Sequence, residues 1–160
     1  VTRPRPILLL ALGNDIMGDD GVALAAARTL KEDPPDDVDV VETAEAGLGL
    51  LDAMSGYQRA LLLDSITTGR HPPGTILEFS GEDFDNIVGP SPHYAGLPEV
   101  LELARRLNVE FPGEVRVLAV EIEPPMDFRE TLSPRIEQAL PAYVERALEI
   151  LRQWKGAQDR

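Results

Sequence analysis

Four side chains stand where chemistry is easiest to arrange. Asp19 and Asp20 close the segment Gly13-Asn-Asp-Ile-Met-Gly-Asp-Asp-Gly21, Asp64 directly follows three leucines, and His93 lies in Ser91-Pro-His-Tyr-Ala-Gly96. Two carboxylates and one imidazole suit an open site for a divalent first-row metal. Each residue also has an ordinary explanation. An Asp-Asp-Gly ahead of a helix caps it, and one of the two acids suffices. An aspartate after a strand can serve a turn, and a lone loop histidine is more often solvated than ligating. His71, in Gly69-Arg-His-Pro-Pro-Gly74, needs nothing beyond solvent. What favours a common site is position, since Asp20, Asp64 and His93 fall on loops expected at one edge of a sheet.

Competing chemistries fail on residue type or spacing. Gly13 and Gly18 stand as in G-x-x-x-x-G, but a P-loop continues with Lys and Ser/Thr where this chain has Asp19 and Asp20. Two carboxylates at a helix N-terminus repel phosphate and are kept ionised by the helix dipole. The dinucleotide spacing G-x-G-x-x-G is not met there either. Ser65 and Ser91 lack a G-x-S-x-G elbow, which disfavours a serine nucleophile. The chain has no Cys, which excludes disulfides, thiolate metal sites and cysteine nucleophiles.

The elements that must position these residues alternate between strands and helices. Ile7-Leu-Leu-Leu-Ala-Leu12 is apolar on both faces and stops at Gly13, as a strand covered on both sides would. Val22, Ala26 and Leu30 make a narrow stripe on a helix of about three turns, ended by Asp33-Pro-Pro-Asp-Asp37. Residues 38–41 read as a second strand, 48–54 as a short helix entered through Gly47, and 60–63 as a third strand ending at Asp64. Residues 75–79 follow too closely for a crossover helix, which predicts an antiparallel partner or an edge position. Leu97, Val100, Leu101 and Ala104 give the next helical face, and 115–120 another buried strand. Ser133-Pro134 starts a helix bearing Ile136, Leu140, Val144, Ala147, Leu151 and Trp154 on one side. Pro141 predicts a kink or restart within it, and residues 156–160 a frayed tail. The alternation predicts a single domain over residues 1–160, an α/β fold built as a three-layer α/β/α sandwich with a mostly parallel, mixed sheet. Ligands in such sheets lie beyond the carboxyl ends of the strands.

Charge narrows the partners. The 160 residues hold 15 Lys+Arg against 28 Asp+Glu, a formal net charge of −13, and the only lysines are Lys31 and Lys155. A nucleic-acid partner is therefore not expected, because phosphate neutralisation needs a basic face. No apolar run approaches the ~20 residues that span a bilayer, and none has signal-peptide form. A soluble cytoplasmic protein with no membrane partner is expected.

At this point the motifs gather into a likeness. Leu-Leu-Leu-Ala-Leu-Gly-Asn-Asp-Ile-Met-Gly-Asp-Asp-Gly-Val over residues 8–22 resembles the N-terminal signature of the hydrogenase maturation proteases, endopeptidases that trim the C-terminus of nickel–iron hydrogenase large subunits. The likeness continues through Ala46-Gly-Leu-Gly-Leu-Leu-Asp52, Ala60-Leu-Leu-Leu-Asp-Ser-Ile66 and Pro73-Gly-Thr75. It extends to Ser91-Pro-His-Tyr-Ala-Gly-Leu97, Thr131-Leu-Ser-Pro134 and Ala139-Leu-Pro141. By motif position the resemblance implies Asp20, Asp64 and His93 as both metal ligands and catalytic residues. It implies nickel, delivered in the substrate, as the metal and a hydrogenase large-subunit precursor as the protein partner. Cleavage would then wait for metal insertion, with the metal polarising the scissile carbonyl or activating water. Asp19 is left as a general base or, preferably, a helix cap. Where the family often shows Asp followed by glycines, this chain has Val41-Glu-Thr-Ala-Glu-Ala-Gly47, so Glu42 stands in the Asp position.

Two alternatives stay open. A member that binds metal without proteolysis is one, and the Glu42 departure speaks for it. The other is a phosphoacceptor receiver-type domain, which would place its acid pair directly on the first strand and carry a late strand-end lysine. Here residues 13–18 intervene, and Lys155 follows Trp154.

Overall fold

The computed structural model describes residues 7–80, 83, 97–125 and 127–158. In chain order the elements are β1 (Ile7–Leu12), a 3-10 turn (Gly18–Gly21), α1 (Val22–Glu32), β2 (Val38–Thr43) and α2 (Leu48–Met54). They continue with β3 (Arg59–Ile66), β4 (Ile76–Ser80), α3 (Leu97–Arg106), β5 (Glu114–Glu121) and α4 (Pro134–Gln158). The sheet order is β2-β1-β3-β5-β4. The first four strands in that order are parallel, and β4 runs antiparallel to β5 at the edge. The short gap before residue 75 thus has the consequence expected of it, and the sheet is mixed and mostly parallel.

Strand periodicity sorts one apolar run onto two cores. Ile7, Leu9 and Ala11 join Leu61 and Leu63 beneath α1 and α4, while Leu8, Leu10 and Leu12 join Ala60 and Leu62 beneath α2 and α3. Full burial on both faces explains why β1 contains no polar residue. The buried face of α1 is broader than a narrow stripe. Ala23, Leu24 and Ala27 are covered along with Val22, Ala26 and Leu30, because α4 packs beside the helix as the sheet packs below it.

Several strands outrun their apolar cores. β2 extends to Thr43 and β3 to Ile66, so Asp64 lies within a strand, in register with Ala119 of β5, rather than in a loop. The ladder to β5 holds Asp64 and Ser65 in extended form. α4 continues unbroken through Pro141, which forgoes only the bond to the Glu137 carbonyl, and the expected restart is absent. Its last turn runs on through Gly156 to Gln158 where fraying was expected. Tyr143 and Ile150, outside the anticipated stripe, are buried with it.

Tyr143 joins α4 to the middle of the sheet. Its hydroxyl donates to the Leu118 carbonyl at 2.7 Å and to the Asp64 carbonyl at 3.3 Å. Burial, then the nearby Asp64 charge, pushes its pKa well above the ordinary tyrosine range, against the opposing backbone hydrogen bond. The folded protein therefore keeps this proton after the unfolded chain loses it near pH ~10, so its stabilising effect fades above that pH. Tyr143→Phe is expected to cost about 1 kcal/mol at pH 7 by urea unfolding. The gap between wild type and variant should narrow as pH rises past ~10.

Candidate active site

The strand order reverses between β1 and β3, and the chain's polar loops converge there. The ladder joining these strands ends at Ala11 and Leu63, whereas β3 continues to Ile66 alongside β5. Asp64 and Ser65 consequently stand beside a gap where β1 has turned away. This is the crevice position in which open α/β sheets bind ligands.

Gly13 makes the turn possible. It has φ +156°, and a Cβ there would lie 2.3 Å from the Asp20 carbonyl oxygen. The loop can therefore fold back over the end of β1 only without a side chain at this position. Its amide N–H donates to the Thr43 carbonyl at 3.3 Å, fastening the turn to β2. Gly18, at φ +59°, opens the 3-10 turn that carries the two acids.

Asp20 accepts from the Asn14 amide N–H at 3.0 Å through Oδ2 and from the Ser65 hydroxyl at 2.7 Å through Oδ1. Asp64 is only 1 % exposed, and its Oδ1 accepts the Ser65 amide N–H at 2.8 Å. The two acids meet at one residue. The geometry thus brings together Asp20 and Asp64, two of the three residues singled out in the sequence. The third, His93, lies outside the described residues; the helix that follows it, α3, packs on the sheet face of Leu62 and Ala119. Among the described residues no three acidic or histidine side chains form a metal cluster. The donor chemistry of Asp20 nevertheless fits a divalent ion. Each oxygen has one hydrogen-bond donor among the described residues, and an ionised carboxylate oxygen has two lone pairs.

Asp19 does not cap its own helix. The 3-10 turn and α1 both lack a side-chain cap. Its carboxylate instead crosses to the start of α4, accepting the Ser133 amide N–H at 2.6 Å and the Ser133 hydroxyl at 2.9 Å. Glu42 belongs to a different cluster. Lys31 reaches its Oε2 at 2.6 Å and Arg28 its Oε1 at 2.9 Å, while Arg28 also holds Asp15 at 3.0 Å. Burial raises the Glu42 pKa, but hydrogen bonds and charge from Lys31 and Arg28 outweigh it and hold the carboxyl below its ordinary value.

Two residues at this edge escaped the sequence reading. Ser65, which by residue type suggests only a nucleophile, is the contact between both acids. Glu121, 1 % exposed at the end of β5, accepts the Thr68 amide N–H at 2.7 Å and also the Thr68 hydroxyl. The strand-end rule that selected Asp64 applies equally to Glu121, which orders the loop after β3.

A cleft of about 460 Å³ adjoins the 3-10 turn, lined by Gly18, Asp19, Pro73, Arg129, Ser133 and Arg135 among others. Its wall is stitched to the first loop by Arg129 N–H to the Ile16 carbonyl at 2.8 Å and Gly18 N–H to the Arg129 carbonyl at 2.7 Å. Phe128 and Ile16 flank this stitch and are 83 % and 45 % exposed. Apolar side chains so uncovered beside a polar cleft suit contact with another chain.

The Asp19–Ser133 contact makes a stability prediction. Asp19→Ala should lower unfolding stability by ~1–2 kcal/mol, read as a drop in Tm, because it strips the cap from α4. Gly13→Ala should cost more, since the backbone of Asp20 must move away from the new Cβ.

Comparison with known proteins agrees with this architecture. The family model described as hydrogenase maturation protease matches residues 24–150, a stretch that includes Asp64 and His93 but begins after Asp20. The hydrogenase 2 maturation protease of Escherichia coli K12 is 30 % identical, the match spanning 91 % of this chain and 94 % of that one. The solved hydrogenase maturating endopeptidase HybD from E. coli superposes with a TM-score of 0.81 at 27 % identity, over 92 % of this chain and 93 % of the other. The [NiFe] hydrogenase maturation protease HybD from Thermococcus kodakarensis gives 0.69 at 28 % identity, over 91 % and 98 %. Sequence and fold agree along nearly the whole length, and the chain belongs to the hydrogenase maturation protease family, a group of hydrolases.

Proposed function

We propose that this protein is an endopeptidase that removes the C-terminal extension of a nickel–iron hydrogenase large-subunit precursor once nickel has been inserted. The observation that carries the reading is the convergence of Asp20 and Asp64 on Ser65 at the strand-order reversal. In this reading the nickel belongs to the substrate. Asp20, Asp64 and His93 hold it, and a precursor lacking it docks poorly. Bound there, the metal supplies Lewis acidity toward the scissile carbonyl or a water. Carboxylate and imidazole are ligand types that nickel accepts.

The chain's own side chains do the remaining work. Asp64 is almost fully shielded from water, and an electrostatic contact there is worth more than in solvent. Asp19, with both oxygens given to Ser133, is a positioning residue rather than a base. The cleft beside it, whose lining residue Arg129 follows the exposed Phe128, receives the substrate segment that includes the cut. An enzyme of net charge −13 meets a basic patch on its partner, and association weakens as salt rises. The reaction takes place in the cytoplasm; no described helix is long and apolar enough to cross a membrane.

Processing of a nickel-loaded large-subunit precursor, followed by gel mobility, tests the reading. Wild type should cleave, and folded Asp64→Asn and His93→Ala should lose at least ~100-fold, since even the outer-shell partners of a metal ligand cost about 10–100-fold when mutated. Phe128→Ala should raise KM several-fold with kcat little changed. Cleavage by Asp64→Asn and His93→Ala at the wild-type rate would sink the proposal, and nickel binding without any cleavage would point to a non-proteolytic maturation factor.

A further inference from the structure

Ser65 is 6 % exposed, and two of its groups are committed to the two acids of the crevice. Its hydroxyl donates to Asp20 Oδ1 at 2.7 Å, and its amide N–H donates to Asp64 Oδ1 at 2.8 Å. We propose that Ser65 is the positioning residue of the metal-reading site, its hydroxyl holding the Asp20 carboxylate beside Asp64 before any metal arrives. The inference rests on the reading of Asp20 and Asp64 as nickel ligands.

The strand sets the geometry. On β3, residues 61 and 63 face α1 and α4 whereas 60 and 62 face α2 and α3. Alternation puts the Ser65 side chain on the first face and that of Asp64 on the second. Asp20 approaches from the first face, because its turn leads directly into α1. The two carboxylates therefore come to the crevice from opposite sides of the strand, and something must draw them to its open end. For Asp64 that is the next amide N–H along its own chain. For Asp20 the groups are the Asn14 amide N–H, within its own loop, and the Ser65 hydroxyl, the sole side-chain donor from the sheet among the described residues.

Among the described residues, removing the hydroxyl leaves Asp20 tethered only within its loop and able to turn toward solvent. The Ser65 O–H donates to one Asp20 oxygen, which keeps a further lone pair for a cation. Serine also suits the space, since its single Oγ reaches the acid without filling the crevice. The role is distinct from nucleophilic catalysis, because this Oγ is turned to a carboxylate of the ligand set.

Titration of the purified chain with Ni²⁺ alone, by calorimetry, separates the possibilities, with thermal unfolding as the check on folding. Ser65→Ala is expected to bind Ni²⁺ about 10–100-fold more weakly, the usual effect of losing a group that orients a metal ligand. Ser65→Thr, which restores the hydroxyl, should return to within a few-fold of wild type, and kcat/KM on a nickel-loaded precursor should rank the same way, with Ser65→Ala below Ser65→Thr and wild type. Wild-type affinity in Ser65→Ala, alongside lost binding in Asp20→Asn and Asp64→Asn, would overturn the role of Ser65 and leave the metal site standing. Unchanged binding in Asp20→Asn and Asp64→Asn as well would overturn both. Should Ser65→Thr unfold, a weakened Ser65→Ala with unaltered Tm still supports the inference, because a purely structural loss would lower Tm with it.

Discussion

The missing side chain at Gly13 is the constraint on which the rest of the carboxyl edge depends. A parallel strand buried on both faces cannot carry chemistry along its length, so the chemistry must hang from its end. The chain leaves β1 at a backbone angle that favours glycine and lays the Asp20 carbonyl where a Cβ would be. That close approach brings the acidic turn down against β3. The carboxylates of Asp20 and Asp64 then need donors, and loop amides and Ser65 supply them. Buried or half-buried acids persist only when hydrogen-bonded, and these are.

The fold was legible because its signals were physical and local. Ile7–Leu12 could be nothing but a doubly covered strand, Leu48–Met54 formed as a helix behind Gly47, and the short gap before residue 75 forced antiparallel pairing. The misreadings share one cause. Strand ends and helix interiors were judged by apolar pattern, while the structure settled them by hydrogen bonding to a neighbour. β5 holds Asp64–Ile66 extended, and α4 tolerates Pro141 because its burial against the sheet outweighs one lost backbone bond.

The site was legible in part. The rule that ligands gather at strand ends singled out Asp20 and Asp64, which the structure sets in contact with Ser65, and His93 falls on residues that the structure does not describe. Ser65 and the true use of Asp19 were hidden, because both depend on which face a side chain takes and on contacts far along the chain. Asp19 binds a residue 114 positions later, a distance over which local spacing is silent. Glu42 illustrates the converse. Its place in the motif drew attention to it, but Arg28 and Lys31, themselves one helical turn apart on α1, engage both of its oxygens.

Helix α4 runs against the direction of the parallel strands. Asp19 holds its first turn at the crevice, Tyr143 presses its middle onto Asp64 and Leu118, and Trp154 donates to Glu114 at the opposite rim, where Arg59 also meets the Trp154 carbonyl. The far turn of this helix therefore emerges on the side of the molecule turned away from the cleft. A tether grafted there would present the cleft outward, leaving the approach of a bulky folded protein unobstructed.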